Sequence, residues 1–211
     1  MFDYSLLHWA AFFTAALLLT LSPGPDIAFI LGQTVKGGRT SGFAAMFGIW
    51  GGTLGHIMMA AIGLSAIVSA SALAFGVVKW LGVAYLIWLG LGAFRSKGGT
   101  FVSESVPLGT TPRHVFWQGV IIALLNPKVA IFFLAFLPQF VVPDAGPVWA
   151  QLCLHGCLLI CVAAFVEPPL VLIGDRLTER LRDNPRLGQW IDRSLGVLFI
   201  ALGIRLTLET W

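Results

Sequence analysis

Apolar residues run along this chain in blocks too long for the faces of soluble helices, and too continuous for strands that alternate inward and outward. Tyr4 to Pro25 carries no Asp, Glu, Lys or Arg, and its apolar character continues to Leu31. Thr40 to Phe94 holds Lys79 as its one charge, Val115 to Val142 holds Lys128, and Ala145 to Gly174 holds Glu167. Ile191 to Trp211 is a shorter run edged by Asp192, Arg193, Arg205 and Glu209. A helix needs about 20 mostly apolar residues to cross a hydrocarbon layer roughly 30 Å thick. The blocks therefore predict six crossings, at about 6–31, 42–67, 72–94, 115–141, 148–173 and 192–209, with a tight turn near Ser69–Ser71. The fold class expected is an all-α membrane protein, a single transmembrane domain over 1–211. The first run is longer than a secretory h-region and lacks a basic flank, so it reads as a spanning helix and not a leader.

Composition agrees. Of 211 residues, 57% are hydrophobic and 11% charged, with a mean hydropathy of +0.87; soluble domains run at about 25% charged. A soluble enzyme, a disordered chain and a nucleic-acid-binding domain are thereby disfavoured, and nothing marks an enzyme. The net charge of +3 is a matter of topology. Lys36 and Arg39 follow the first crossing, Arg95, Lys97 and Arg113 the third, and Arg176, Arg180, Arg182, Arg186 and Arg193 the fifth. Basic loops stay cytoplasmic, so both termini are expected outside. The segment 174–193 alternates leucines with arginines and reads as a helix lying on the cytoplasmic surface. Trp9, Trp80, Trp149, Trp190 and Trp211 fall near the proposed ends, as interfacial anchors do.

Three crossings per half turn the second half over. Repeat one would cover about 1–95, a cytoplasmic loop about 95–114, and repeat two about 115–211. Pro25-Asp26-Ile27-Ala28-Phe29 lines up with Pro127-Lys128-Val129-Ala130-Ile131 at the first crossing of each half. Inverted repeats with matched Pro/Gly interruptions point to a secondary transporter whose site lies near the midplane.

The interruptions carry the candidate chemistry. Ser22, Pro23, Gly24, Pro25 and Asp26 place two prolines and a glycine inside the first crossing, so helices one and four are expected to be broken. Proline removes an amide donor, and in lipid the freed carbonyls need protein or a wet cavity. Asn126-Pro127-Lys128 reads as a helix restart, Asn at the cap and Pro in the first turn. Amides at such a restart suit a carboxylate; the bland alternative is a packing kink. Asp26 and Lys128 are opposite charges at equivalent positions, able to pair across the two halves or to snorkel separately. Glu167, before Pro168-Pro169, is a candidate for proton coupling or for a substrate ammonium; its alternative is an interfacial position near Asp175. His56 could relay protons, although a buried, hydrogen-bonded histidine is the commoner outcome. Gly48, Gly51, Gly52 and Gly55 should allow close helix approach. Cys153, Cys157 and Cys161 form a stripe with no converging ligands, so no metal site is assigned and packing is expected.

At these residues the chain resembles the LysE/RhtB family of bacterial amino-acid exporters. The match takes in Leu21-Ser22-Pro23-Gly24-Pro25, the glycines from Gly48 through His56, Lys79-Trp80-Leu81-Gly82-Val83-Ala84-Tyr85-Leu86 with Gly90, and Leu125-Asn126-Pro127-Lys128. Phe136-Leu137-Pro138-Gln139-Phe140 and Gly196-Val197-Leu198-Phe199-Ile200-Ala201-Leu202-Gly203 extend it. The resemblance implies a six-helix exporter of the bacterial inner membrane, carrying an amino acid such as threonine, homoserine, lysine or leucine, driven by the proton gradient and without a cofactor. Its partners would be an amino acid, protons and the bilayer, with a homodimer left open. The alternative reading is a divalent metal-ion exporter of a related six-helix family, which would call for converging carboxylates, His or Cys.

Overall fold

A computed structural model describes residues 4–21, 24–64, 111–143 and 145–174, with isolated helical positions between 77 and 95 and between 176 and 207. Ser22, Pro23, Lys79, Trp211 and the turn near Ser69–Ser71 lie outside the described residues, as do most of the surface segment 174–193 and of the third and sixth expected crossings. The described residues are helical, without strands. In order they form α1 (Leu6–Leu21), α2 (Pro25–Met59) with a π-helical extension Ala60–Leu64, α3 (Pro112–Leu124), α4 (Pro127–Ala135), a 3-10 turn Leu137–Phe140, and α5 (Val148–Leu172). Pro25–Gly63 and α5 are long and apolar enough to cross a membrane, and α3 with the segment Lys128–Phe140 makes a third span if that pair, bent by 56°, is counted as one.

The first crossing is indeed interrupted: α1 ends at Leu21 and α2 starts at Pro25, with Gly24 at its N-cap. Helix continues past Leu31, the expected end, as far as Gly38, where φ is +71° and ψ −176°. A left-handed φ suits glycine, which has no β-carbon to clash. The chain doubles back there, because a β-carbon on Gly42 would touch Thr34. Eight residues along a straight helix would be about 12 Å apart. The Lys36–Arg39 loop is thus a one-residue hinge, and Arg39 donates to the Leu172 carbonyl at 3.3 Å, tying the hinge to the end of α5.

The glycines of the second limb of α2 do bring helices together. A β-carbon on Gly48 would meet the Phe116 carbonyl oxygen, one on Gly52 would stand 2.6 Å from the Val120 oxygen, and one on Gly119 2.8 Å from the Ala45 oxygen. This backbone-to-backbone seam between α2 and α3 leaves no room for side chains. On the other side α1 docks on α5. Tyr4 donates to Gln151 Oε1 at 3.0 Å, and His8 Nε2 lies 2.9 Å from His155 Nε2. His155 Nδ1 is 2.8 Å from the Gln151 carbonyl oxygen. That carbonyl can only accept, so Nδ1 carries the proton and His8 donates to Nε2.

Two apolar clusters result. One gathers Phe12, Phe132, Phe133, Phe136, Phe140, Leu152 and Leu159; the other Phe29, Ile30, Ala45, Met46, Ile49, Val115 and Val171. Cys153 is half-buried and packs against the first cluster, as expected, whereas Cys157 and Cys161 are exposed on the outer face of α5. Trp80, Trp149 and Trp190 are exposed, as anchors to an interface would be.

Candidate functional site

Each break is built the same way. Gly24 and Asn126 are extended residues whose carbonyls accept the first helical bonds, from Ala28 and Ala130 at 3.0 Å. Proline follows each at the first helical position, where its missing amide costs nothing. In the second break the Asn126 side chain also caps, its Oδ1 accepting from the Lys128 amide at 3.0 Å. That bond fixes the amide plane and turns Nδ2 across the molecule. It donates to both oxygens of Asp26, each at 3.0 Å. The two interruptions, 100 residues apart in sequence, are therefore joined directly.

Asp26 and Lys128 do come together. Asp26 takes its hydrogen bonds from the neutral amide of Asn126, which is nearly fully buried, while the Lys128 ammonium lies over Gly24. A β-carbon there would stand 3.1 Å from Nζ. Both charges line one cavity of about 70 Å³. Glu167 lines it too and is buried, and Trp50 donates its indole N–H to Glu167 Oε2 at 2.6 Å. Thr20 and Thr53 complete the polar lining. The remainder is apolar and draws on both clusters, Ile49 from one and Phe133 and Leu159 from the other. Among the described candidates, the cavity thus collects Asp26, Lys128 and Glu167 from α2, α4 and α5.

The double proline after Glu167 does not open the helix. α5 runs through Pro168 and Pro169 to Leu172, and the Pro169 carbonyl still accepts from Ile173 at 3.0 Å. The donors lost are those that would reach Ala164 and Phe165, both on the exposed side. His56 is not in the cavity wall: its Nε2 is 3.0 Å from the Ala123 carbonyl oxygen and its ring stacks on Phe133. Among the described residues no group of three His, Cys, Asp or Glu side chains gathers as metal ligands would.

Trp50, Thr20 and Thr53 were not singled out by the sequence. Trp50 reads there as one of eight tryptophans; the usable signal was its place between Gly48 and Gly51, inside the crossing expected at about 42–67.

The family model described as LysE type translocator matches residues 17–210. The chain belongs to that family. Among curated proteins, this LysE family member is 30% identical to a homoserine/homoserine lactone efflux protein of Salmonella typhimurium, over 92% of the chain and 93% of the relative. It is 26% identical to a leucine efflux protein of the same organism over 99% of both chains. An uncharacterised membrane protein of Vibrio cholerae is 30% identical over 94% of the chain and 95% of its own length. No solved structure matches. The LysE resemblance read from the motifs therefore holds over most of the chain, and a multi-pass membrane protein is the setting that family and composition share.

Proposed function

We propose that this chain exports amino acids from the cytoplasm across the bacterial inner membrane in exchange for protons. The observation that carries the reading is the Asn126–Asp26 link, which holds two broken-helix starts together beside a cavity that also presents Lys128 and Glu167. A zwitterion needs a cationic and an anionic partner a few ångströms apart, and this wall offers both. The substrate carboxylate meets Lys128 and the restarts at Pro25 and Pro127. Its ammonium meets Asp26 or Glu167, and one of those carboxylates takes the incoming proton. Relatives named for homoserine and leucine efflux support the substrate class.

The movement proposed is a rocking of one three-helix half against the other, with six crossings and both termini outside. Packing supports it: α1 docks on α5 while α3 docks on the second limb of α2, the exchange that a pseudo-twofold between inverted halves produces. The purified protein in proteoliposomes should move an amino acid against an imposed proton gradient. Asp26→Asn and Lys128→Ala should each reduce exchange at least tenfold; full activity in both would remove the site assignment.

A further inference from the structure

We propose that Glu167 carries the proton of the exchange while Asp26 anchors the substrate ammonium, so that proton and ammonium compete to neutralise one carboxylate. This assignment rests on the export reading above, in which the two carboxyl groups are interchangeable.

Asp26, Glu167 and Lys128 line one cavity. With all three ionised it carries a net negative charge, because two carboxylates face a single ammonium. Like charges in a poorly solvated space repel strongly, so the empty cavity is neutral only when one carboxyl holds a proton. Among the described residues no other titratable side chain shares this wall. α1 contributes Leu19 and Thr20, the second limb of α2 Ile49, Trp50 and Thr53, and His56 is held at the Ala123 carbonyl outside it.

The two carboxyl groups are held differently. Both oxygens of Asp26 accept from Asn126 Nδ2, and Asp26 lies in the first turn of α2, where the helix dipole favours an anion. A proton on either oxygen would displace one arm of that link. Glu167 has one donor among the described residues, the Trp50 indole on Oε2. Its other oxygen can take a proton without breaking a hydrogen bond. Thr20 and Thr53 give their hydroxyl protons to the carbonyls of Ala16 and Ile49 at 2.8 and 2.9 Å. Their oxygens therefore keep lone pairs for a carboxyl O–H or an ammonium N–H in the cavity.

The amino acid enters from the cytoplasm with its carboxylate on Lys128 and its ammonium on Asp26. That positive charge replaces the proton of Glu167: the O–H bond breaks, the electron pair stays on the oxygen, and the proton passes to cytoplasmic water. Outside, the departing amino acid leaves Glu167 without a counter-charge, and its oxygen takes a proton from external water. One proton thus enters for each zwitterion exported.

Proton release on binding tests this without any gradient. Full-length protein in detergent, weakly buffered with a pH indicator, is titrated with a panel of amino acids that includes leucine and homoserine, and the tightest binder is carried forward. Wild-type protein should release about one proton per ligand bound, and its affinity should fall by up to about tenfold per pH unit on the acid side. Glu167→Gln should bind severalfold more weakly, release no proton and lose the pH dependence. In proteoliposomes it should keep counterflow and lose export driven by a proton gradient. Asp26→Asn should bind about tenfold or more weakly yet still release a proton at saturation. Glu167→Asp keeps the carboxyl and should restore release, which separates coupling from a folding defect. Release that persists in Glu167→Gln, or that vanishes in saturated Asp26→Asn, would overturn the assignment and leave the export reading intact. Wild-type binding without proton release would overturn it as well. Absence of binding and exchange with any amino acid would overturn both.

Discussion

The two interrupted helices use one backbone device and opposite side-chain chemistry. At Gly24 the cap residue has no side chain to bond the new helix, and the absence of a β-carbon makes room for Lys128 of α4. At Asn126 the cap is a side chain with two tasks, closing its own helix with Oδ1 and reaching Asp26 with Nδ2. The first break receives and the second gives. One backbone device thus carries different residues at the two breaks, as the asymmetric ligand proposed above would require.

The sharpest way to break this asymmetry is Asn126→Leu. It removes a cap worth about 1 kcal/mol and leaves Asp26 without its donors, a further cost of about 1–3 kcal/mol. Melting in detergent should fall and exchange should be lost. Asn126→Asp keeps the cap acceptor but no donor, and sets a second carboxylate against Asp26. It should recover at most the cap's share of the melting temperature and none of the transport; recovery of transport would reduce Asn126 to a cap. Next in size is Trp50→Phe, which removes the indole N–H from Glu167. Leaving a buried acceptor without its donor costs about 1–3 kcal/mol, so exchange should fall by about tenfold, with a modest fall in melting temperature because a smaller aromatic ring still fills part of the site.

How far these partners were legible follows from how far apart they stand in the chain. Both breaks, the Asn126 cap and the close-packing glycines announce themselves locally, because proline, glycine and asparagine act on their own backbone. Asp26 and Lys128 were marked by the cost of charge in lipid, and both reached the cavity. The hydrogen-bond donors to Asp26 and Glu167 were hidden, since the amide on Asp26 is 100 residues away and the indole on Glu167 is 117. The charge pattern brought Asp26 and Lys128 to notice; the capping bond on Oδ1, which aims Nδ2 at Asp26, is a three-dimensional fact. The hinge at Gly38 was half visible. Lys36 and Arg39 marked a loop, but a turn of one glycine lets helix continue much closer to the corner than the fall in hydropathy after Leu31 indicated.

Smaller is the effect of Gly24→Ala. Its φ of −164° is open to any residue, so the whole effect is steric, through the 3.1 Å approach to Lys128 Nζ. A flexible lysine end can yield by a few tenths of an ångström, and overpacking at the low end of its range costs about 1 kcal/mol. A severalfold rise in the substrate concentration for half-maximal exchange is expected. In a Lys128→Ala background the same change should add nothing, and a double-mutant cycle reads that coupling directly. Additive effects would separate the glycine from the lysine.

The smallest effect on transport is expected at His56, the one titratable candidate that lies between the two breaks without belonging to either. Its Nε2 is already committed to the Ala123 carbonyl, at the end of α3 just before the Asn126 cap, and its ring is stacked on Phe133. A relay must release and recapture a proton, whereas a ring held at 3.0 Å from a carbonyl that can only accept keeps its N–H. His56→Gln retains a donor of similar reach and loses the stacking. Stability should fall by about 1 kcal/mol, with the ratio of protons to amino acid exchanged unchanged. A changed ratio with an unchanged melting temperature would return His56 to the proton path and move coupling away from Asp26 and Glu167.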